Sequence, residues 1–379
     1  MRAVSCRSGR RPSSCDTSSR YYHVLGVSIE VQSDSDALIE RLDQEYGYFA
    51  RPQLSGLPHV SLSFESKGSP RGWYLTINGK PHPGDGHPFP AGHVFQKMSR
   101  AVLCAAADYL FLHAAVVARG HEAIAISGPP GSGKTTLALK LVENGFGFLS
   151  DDFAPINRTT RLVHPFPRGL WITSKDVLSH YRGTRMRAAA PLTRGEKLPF
   201  KPDQLDLPLV REPCRLRSLI CLIPNDGPAR EDELRMGIRP EKETHVLSEL
   251  TDLEHVILVD KDEWRNEYQI RYPRSPELTR RISKILEKYR DDIWDAYRMP
   301  TGPHEFDKQP ALSRIQNDEA CFYLLRELKR ETAAHFRGPV RKPGELFMEL
   351  NTLLDGVRCY RLSLGRLDLE LNLVLSTLD

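Results

Sequence analysis

The residues Gly128-Pro129-Pro130-Gly131-Ser132-Gly133-Lys134-Thr135 fill every fixed position of the phosphate-binding pattern G-x-x-x-x-G-K-[ST]. The chemistry follows from the residue types. Glycines allow successive backbone N–H groups to turn inward around an anionic phosphate, because no Cβ blocks the approach. Lys134 supplies a full positive charge for the β- and γ-phosphates, and Thr135 a hydroxyl for Mg2+. A helix is required next, its positive dipole end facing the same phosphates. The flanks meet that demand. Ala123-Ile124-Ala125-Ile126 reads as a buried strand, and Thr136 to Asn144 as a helix stopped by Gly145. A Gly/Pro/Ser loop that merely joins two elements is the bland alternative, and the full eight-residue pattern in this context argues against it. The expected ligands are ATP and Mg2+.

Carboxylates follow directly. Gly147-Phe148-Leu149-Ser150 reads as a short strand ending in Asp151-Asp152. In an open α/β sheet ligands gather at the carboxyl ends of strands, so these acids are expected to face the γ-phosphate and its metal. One can hold Mg2+ and the other accept a proton from an attacking hydroxyl. A polar turn, or a helix cap at Asp152, is the alternative reading of the same residues. Before the loop, Leu112-His113-Ala114-Ala115-Val116-Val117 reads as a partner strand headed by His113, with a hairpin through Arg119-Gly120-His121-Glu122 back to Ala123.

Taken together, His113-Ala114-Ala115, the loop from Gly128 to Thr136, Gly145 and Ser150-Asp151-Asp152 resemble, in order and spacing, the core of the HPr kinase/phosphorylase family, most closely its HPr-kinase-related branch. The resemblance covers about residues 110 to 156 and fades on both sides. It implies an α/β fold with a P-loop nucleotide-binding kinase core of the HPr kinase/PEP carboxykinase-like kind. It also implies Asp151 as the base on the acceptor hydroxyl, Asp152 assisting the metal or His113, and His113 tuning the carboxylate. Metal contacts fall to Thr135 and Asp152. The family's Glu-x-Arg-Gly motif has its nearest counterpart in Phe166-Pro167-Arg168-Gly169, where Phe166 stands in place of the acid. That departure removes a metal-associated carboxylate, and with it the grounds for a reverse, phosphate-removing activity or for HPr as the substrate. Arg168 reads either as a guanidinium stabilising a transferring phosphoryl group or as a surface arginine in a Pro-rich turn. The basic stretch from Arg182 through Arg194, Lys197 and Lys201 reads as a segment closing over phosphate or as a solvated loop.

These residues need a scaffold. Residues 1–20 read as a disordered extension rich in Arg and Ser, without the apolar run of a secretory signal. Residues 21–91 read as a small β-rich N-terminal lobe, with strands at 22–31 and 60–64 and a hairpin around Asn78-Gly79. The kinase core is expected over 92–298, opening with a helix from about Gly92 to Ala107, with strands near 216–223 and 255–259 and a helix from Ser275 with Pro276 in its first turn. His255-Val256-Ile257-Leu258-Val259-Asp260 resembles the second motif of phosphate-loop proteins, but Asp260 ranks below the Asp151-Asp152 pair. A linker is expected at 299–312 and an α+β C-terminal extension at 313–379, with helices over 313–336 and 344–354. The alternating Leu367, Leu369, Leu371, Leu373 and Leu375 read as a strand. The extension reads as a packing or homo-oligomer-forming appendage ahead of a module recruiting a peptide or protein substrate.

Composition bounds the rest. The 379 residues carry 53 Lys+Arg against 49 Asp+Glu, and a net charge of +4 over this length gives no case for nucleic acid or membrane as the main partner. Seven scattered cysteines without C-x-x-C pairing argue against a disulfide framework and for a reducing cytoplasm, with Cys104 expected in the core. The resulting expectation is a cytoplasmic kinase moving the γ-phosphate of ATP to a hydroxyl, serine of a protein or peptide first. A small-molecule kinase and a nucleotide-gated regulatory ATPase are the alternatives.

Overall fold

The computed structural model describes residues 17–65, 74–81, 91–173, 197–223, 231–239, 241–262, 267–290, 292–301, 309–332 and 343–377. Most of the N-terminal extension, the proline cluster before the first core helix, and the basic stretch up to Lys197 lie outside them. The fold is mixed α/β with several sheets.

The N-terminal layer holds β1 (Ser18–Val24), β2 (Val27–Ser33), α1 (Asp36–Tyr46), β3 (Ala50–Arg51), β4 (Val60–Glu65), β5 (Tyr74–Ile77) and β6 (Lys80–Pro81), its sheet ordered β3-β1-β2-β4-β5-β6. The single strand expected over 22–31 is two, because Leu25 and Gly26 both take positive φ (51° and 82°) and fold the chain into a two-residue hairpin. Asn78 and Gly79 do the same between β5 and β6, with φ of 51° and 74°. In α1, Ser35 caps the first turn through Leu38 N–H. Leu38, Ile39, Leu42 and Tyr46 then form a buried helical stripe that alternation in the flanking strands does not announce. The next helix, α2 (Ala91–Ala105), packs Met98, Val102 and Leu103 into the same apolar cluster as Tyr22, Ile29, Leu42 and Phe64. By packing it belongs to this layer. Cys104, expected in the core, is exposed on the opposite face of α2.

The central sheet contains β7 (Tyr109–Leu112), β8 (Ala114–Arg119), β9 (Glu122–Ser127), β10 (Gly147–Ser150) after α3 (Lys134–Glu143), β11 (Ala154–Asn157) and β12 (Leu162–Val163). A two-stranded ribbon, β13 (Leu170–Thr173) with β14 (Lys197–Phe200), precedes the long β15 (Cys214–Ile223). Its main path runs β10-β8-β9-β15-β12-β11-β7. Strands β7 and β8 lie far apart on this path yet are separated in sequence by His113 alone. One residue reaches at most about 3.6 Å, so the path must curl until its flanks meet at that point. The registers agree, since Leu112 pairs with Ala154 while Val116 pairs with Ser150. His113 and Asp151-Asp152-Phe153 are therefore the two crossings of one seam.

Between β15 and the C-terminal strands the chain builds a separate four-stranded sheet. It comprises β16 (Glu231–Ile238), α4 (Glu243–Thr251), β17 (Ile257–Asp262), β18 (Glu267–Pro273), α5 (Pro276–Lys288) and β19 (Ile293–Thr301), in the order β17-β18-β16-β19. Its apolar cluster is its own, with Leu234, Met236, Val246, Ile270 and Ile282 at its centre. Ser275 caps α5 and Pro276 occupies its first turn, as the sequence suggests. Asp260 is exposed on the edge strand β17, so the apolar-strand-plus-Asp pattern has no part in the loop's sheet.

The last segment comprises β20 (Ala311–Ile315), α6 (Asn317–Thr332), α7 (Pro343–Leu353), β21 (Arg358–Ser363) and α8 (Leu367–Leu375). Residues 313–315, expected to open a helix, lie in β20. Strand β21 pairs in parallel with β15, and β20 pairs with β21, so this segment is built into the central sheet and is no appendage to it. The leucine-rich end is a helix. Leu367, Leu371 and Val374 satisfy helical spacing as well as alternation, and leucine with Asp, Glu and Asn lacks the β-branching that favours a strand. Buried Glu370, in the first turn of that helix, accepts from Gly365 N–H at 2.6 Å just ahead of it. No helix among the described residues is long and apolar enough to cross a membrane.

Leu362, fully buried on β21, packs in the same cluster as Ile126 and Leu137 beside the loop. Leu362→Ala is expected to cost about 2–5 kcal/mol. Urea melting should show that loss in the transition that unfolds the loop's own sheet; a variant melting like wild type would mean that β21 is not integral.

Candidate functional site

The loop leaves β9 at Ser127 and enters α3 at Lys134. Gly131 and Gly133 take φ of 76° and 87°, a left-handed backbone that glycine adopts without strain. Gly128 meets a different demand, because a Cβ there would lie 2.8 Å from Ser132 Oγ and 2.9 Å from Leu222 Cβ. The loop closes on itself where Ser132 N–H donates to the Pro129 carbonyl at 3.1 Å, and Pro130 is half-buried on its rim. Gly133 caps α3 without any side-chain bond, leaving the helix's first N–H groups at the loop uncapped by a side chain. Ser132 Oγ is buried and has no hydrogen-bond partner among the described residues.

Lys134 is buried, and its Nζ donates to the carbonyls of Gly128 at 2.8 Å and Pro129 at 3.2 Å. Its charge is thereby held against two backbone carbonyls of the loop. Thr135 is half-buried and its hydroxyl lies 3.0 Å from both carboxylate oxygens of Asp151. Thr136, next on the helix, is also half-buried. The loop and the end of β10 are thus joined by a hydrogen bond between the two side chains best suited to a cation.

Asp151 is 6% exposed. Burial, then the neighbouring Asp152 charge, push its carboxyl up to about 7, against the opposing pull of Thr135 and Lys134. Asp152 takes φ of 66°, a left-handed backbone uncommon outside glycine. Its carboxylate is 41% exposed and reaches Arg168 Nη2 at 3.7 Å. Thr135, expected to share a metal with Asp152, is held by Asp151 instead. The described residues contain no group of three His, Cys, Asp or Glu that can hold a metal. Mg2+ typically uses one or two protein carboxylates and takes the rest of its shell from phosphates and water, so the Thr135–Asp151 pair fits that ion only with a nucleotide present.

His113 is buried at the seam, and its carbonyl accepts from Ser127 Oγ at 3.0 Å, which ties the crossing to the residue that launches the loop. Phe166 runs beside β10, its N–H donating to the Leu149 carbonyl at 2.8 Å. Its ring packs against Phe49 and Phe153, with centroids 5.3 and 6.5 Å apart, so this position is filled by apolar packing.

Arg168 is no surface arginine. It is 7% exposed, lies over the Phe153 ring at 4.8 Å, and donates from Nη1 to Tyr46 Oη at 3.2 Å and Ser99 Oγ at 3.0 Å. Burial opposes its charge, but Tyr46, Glu45 and Asp152 outweigh it and hold the guanidinium above its usual range. Tyr46 and Ser99 were beyond sequence reasoning. They lie 122 and 69 residues from Arg168, and neither belongs to a pattern with chemistry.

No protein-family model matches the chain, and no curated protein matches it at a significant level.

A carboxyl raised from 3.8 to about 7 binds a proton in the folded chain across a range where the unfolded chain has released it. Stability therefore falls as pH rises through that window, by up to about 1.4 kcal/mol per pH unit. Asp151→Asn should flatten this slope, so that the variant gains on wild type most at about pH 8 and least at about pH 4. Denaturant midpoints against pH measure it, and parallel curves for the two proteins would refute the shift.

Proposed function

We propose that this chain is an ATP-dependent phosphotransferase related to HPr kinase, moving the γ-phosphate to a hydroxyl, with serine of a protein or peptide as the favoured acceptor. The observation that carries this is the contact of Thr135 with Asp151, which joins a phosphate-gripping loop to a buried acid poised near neutrality. A general base works best when its pKa lies near the working pH. On this reading backbone N–H groups of Gly131 to Thr136, with Lys134, hold the phosphates of ATP. Thr135 and Asp151 would hold Mg2+, which would supply charge neutralisation on the phosphate oxygens. Asp151 receives the acceptor's proton, while Asp152, pinned by Arg168, adds a second negative charge at the acceptor's entry. Arg168 brings a cation near the departing phosphoryl group through Asp152. The mild charge and the free thiols at Cys104, Cys214, Cys221, Cys321 and Cys359 suit a reducing cytoplasm, the compartment we propose. With Phe166 packed where a further acid is expected, forward transfer is favoured over phosphate removal.

Incubation with γ-labelled ATP and a host extract, followed by mass spectrometry of the labelled species, tests the assignment. Label on polypeptide supports the favoured acceptor, label on a metabolite the small-molecule alternative, and label only in inorganic phosphate the regulatory ATPase. Lys134→Ala should weaken ATP binding by about 10- to 100-fold, the worth of one charge-assisted contact. Asp151→Asn should lower transfer by at least about 100-fold, more than any loss of ATP affinity accounts for. Transfer retained by Asp151→Asn would remove Asp151 as the base.

A further inference from the structure

We infer that the N-terminal layer is a working part of the site, with Tyr46 on α1 and Ser99 on α2 acting as positioning residues for Arg168. This rests on the phosphotransferase reading for its functional consequence, but its geometry stands alone.

Four observations converge. Arg168 is a buried cation whose Nη1 is shared by two hydroxyls, and those hydroxyls bond each other, with Tyr46 Oη 2.5 Å from Ser99 Oγ. That triangle fixes the plane of the guanidinium and turns Nη2 toward Asp152 at 3.7 Å. Aromatic faces of Phe153, Tyr46 and Phe166 surround its carbon at 4.8, 5.7 and 5.7 Å, so its rotation is also hindered sterically. Gly169 N–H donates to the Glu45 carbonyl at 3.0 Å, and a Cβ on Gly169 would lie 2.7 Å from the Gln44 carbonyl. The chain therefore admits the backbone of α1 against the Arg168-Gly169 turn only because residue 169 is glycine. Arg168 Nε, buried, has no hydrogen-bond partner among the described residues. Most buried side-chain polar atoms find a partner, so this donor is an exception.

A guanidinium is planar and directional, so an error in its plane is felt at the far nitrogen. Without the Tyr46 and Ser99 hydroxyls Nη1 loses both of its acceptors, Nη2 is no longer directed at Asp152, and Asp152 gains freedom beside the base. These hydrogen bonds of Tyr46 and Ser99 run to each other and to Arg168, outside the phosphate loop, so nucleotide binding should be spared.

The test compares wild type, Tyr46→Phe, Ser99→Ala and the double variant, each alone and combined with Asp152→Asn. Turnover is followed by γ-phosphate transfer or, without an acceptor, by its release to water, and ATP affinity is measured separately. Expected is a fall in kcat of about 10-fold in each single variant, with ATP Kd changed less than about twofold. In the Asp152→Asn background the same substitutions should cost less than about twofold, because the route to the acid is already cut. Unchanged kcat in folded variants, or equal losses in both backgrounds, overturns the inference. Wild type that binds no ATP would instead sink the phosphotransferase reading. The positioning claim is then decided by NMR: the Arg168 guanidinium protons should exchange slowly in wild type and much faster in the double variant, and equal rates overturn it.

Discussion

One hydrogen bond organises the site. The Thr135 hydroxyl sits 3.0 Å from both oxygens of Asp151, and through it the first turn of α3 is fastened to the end of β10. Each partner has a reason to be where it is. Thr135 follows the lysine of a loop whose glycines leave its amides free to converge, and Asp151 follows a strand whose residues are buried on both faces. Burying a carboxyl costs several kcal/mol unless it is neutralised or paired, and burial here pushes the Asp151 carboxyl up toward its neutral form.

The seam in the central sheet explains why so few residues suffice. The chain changes flank twice, at His113 and at Asp151 to Phe153; the paired registers put the two crossings side by side, and Ala114, next to His113, pairs with Ser127 at the end of the strand that launches the loop. Irregular backbone at a sheet's centre leaves room for side chains to face a ligand rather than a neighbouring strand. The Phe166 to Gly169 segment then runs beside β10 and brings a cation to Asp152. The N-terminal layer closes the arrangement from behind, sharing an apolar cluster with Phe111 and Phe166.

How legible all this was depends on range in sequence. The strand, loop and helix around Lys134, and the acids after Ser150, are contiguous, and their types are dictated by local chemistry, so they could be read directly. The Leu25-Gly26 hairpin was hidden by alternation that continues through it, although the glycine was its signal. The C-terminal helix was misread because a nine-residue leucine pattern fits both periods. Other features depend on long-range contact. Nothing in residues 358–363 announces that they pair with residues 218–223, and nothing near Tyr46 or Ser99 announces a guanidinium. Arg168 was read as surface or site from its own turn, and its burial, which depends on distant residues, excludes only the surface reading.

The central claim is that the loop and Asp151 form one Mg2+-dependent nucleotide site. Calorimetric titration with ATP at about pH 6, with and without Mg2+ and in buffers of differing ionisation enthalpy, tests it most directly, because the protons released on binding are counted. The expected result is binding that requires Mg2+ and releases more protons in wild type than in Asp151→Asn, since only wild type carries a buried carboxyl that must ionise. Absence of ATP binding, or binding indifferent to Mg2+ with the same proton count in both proteins, would contradict it.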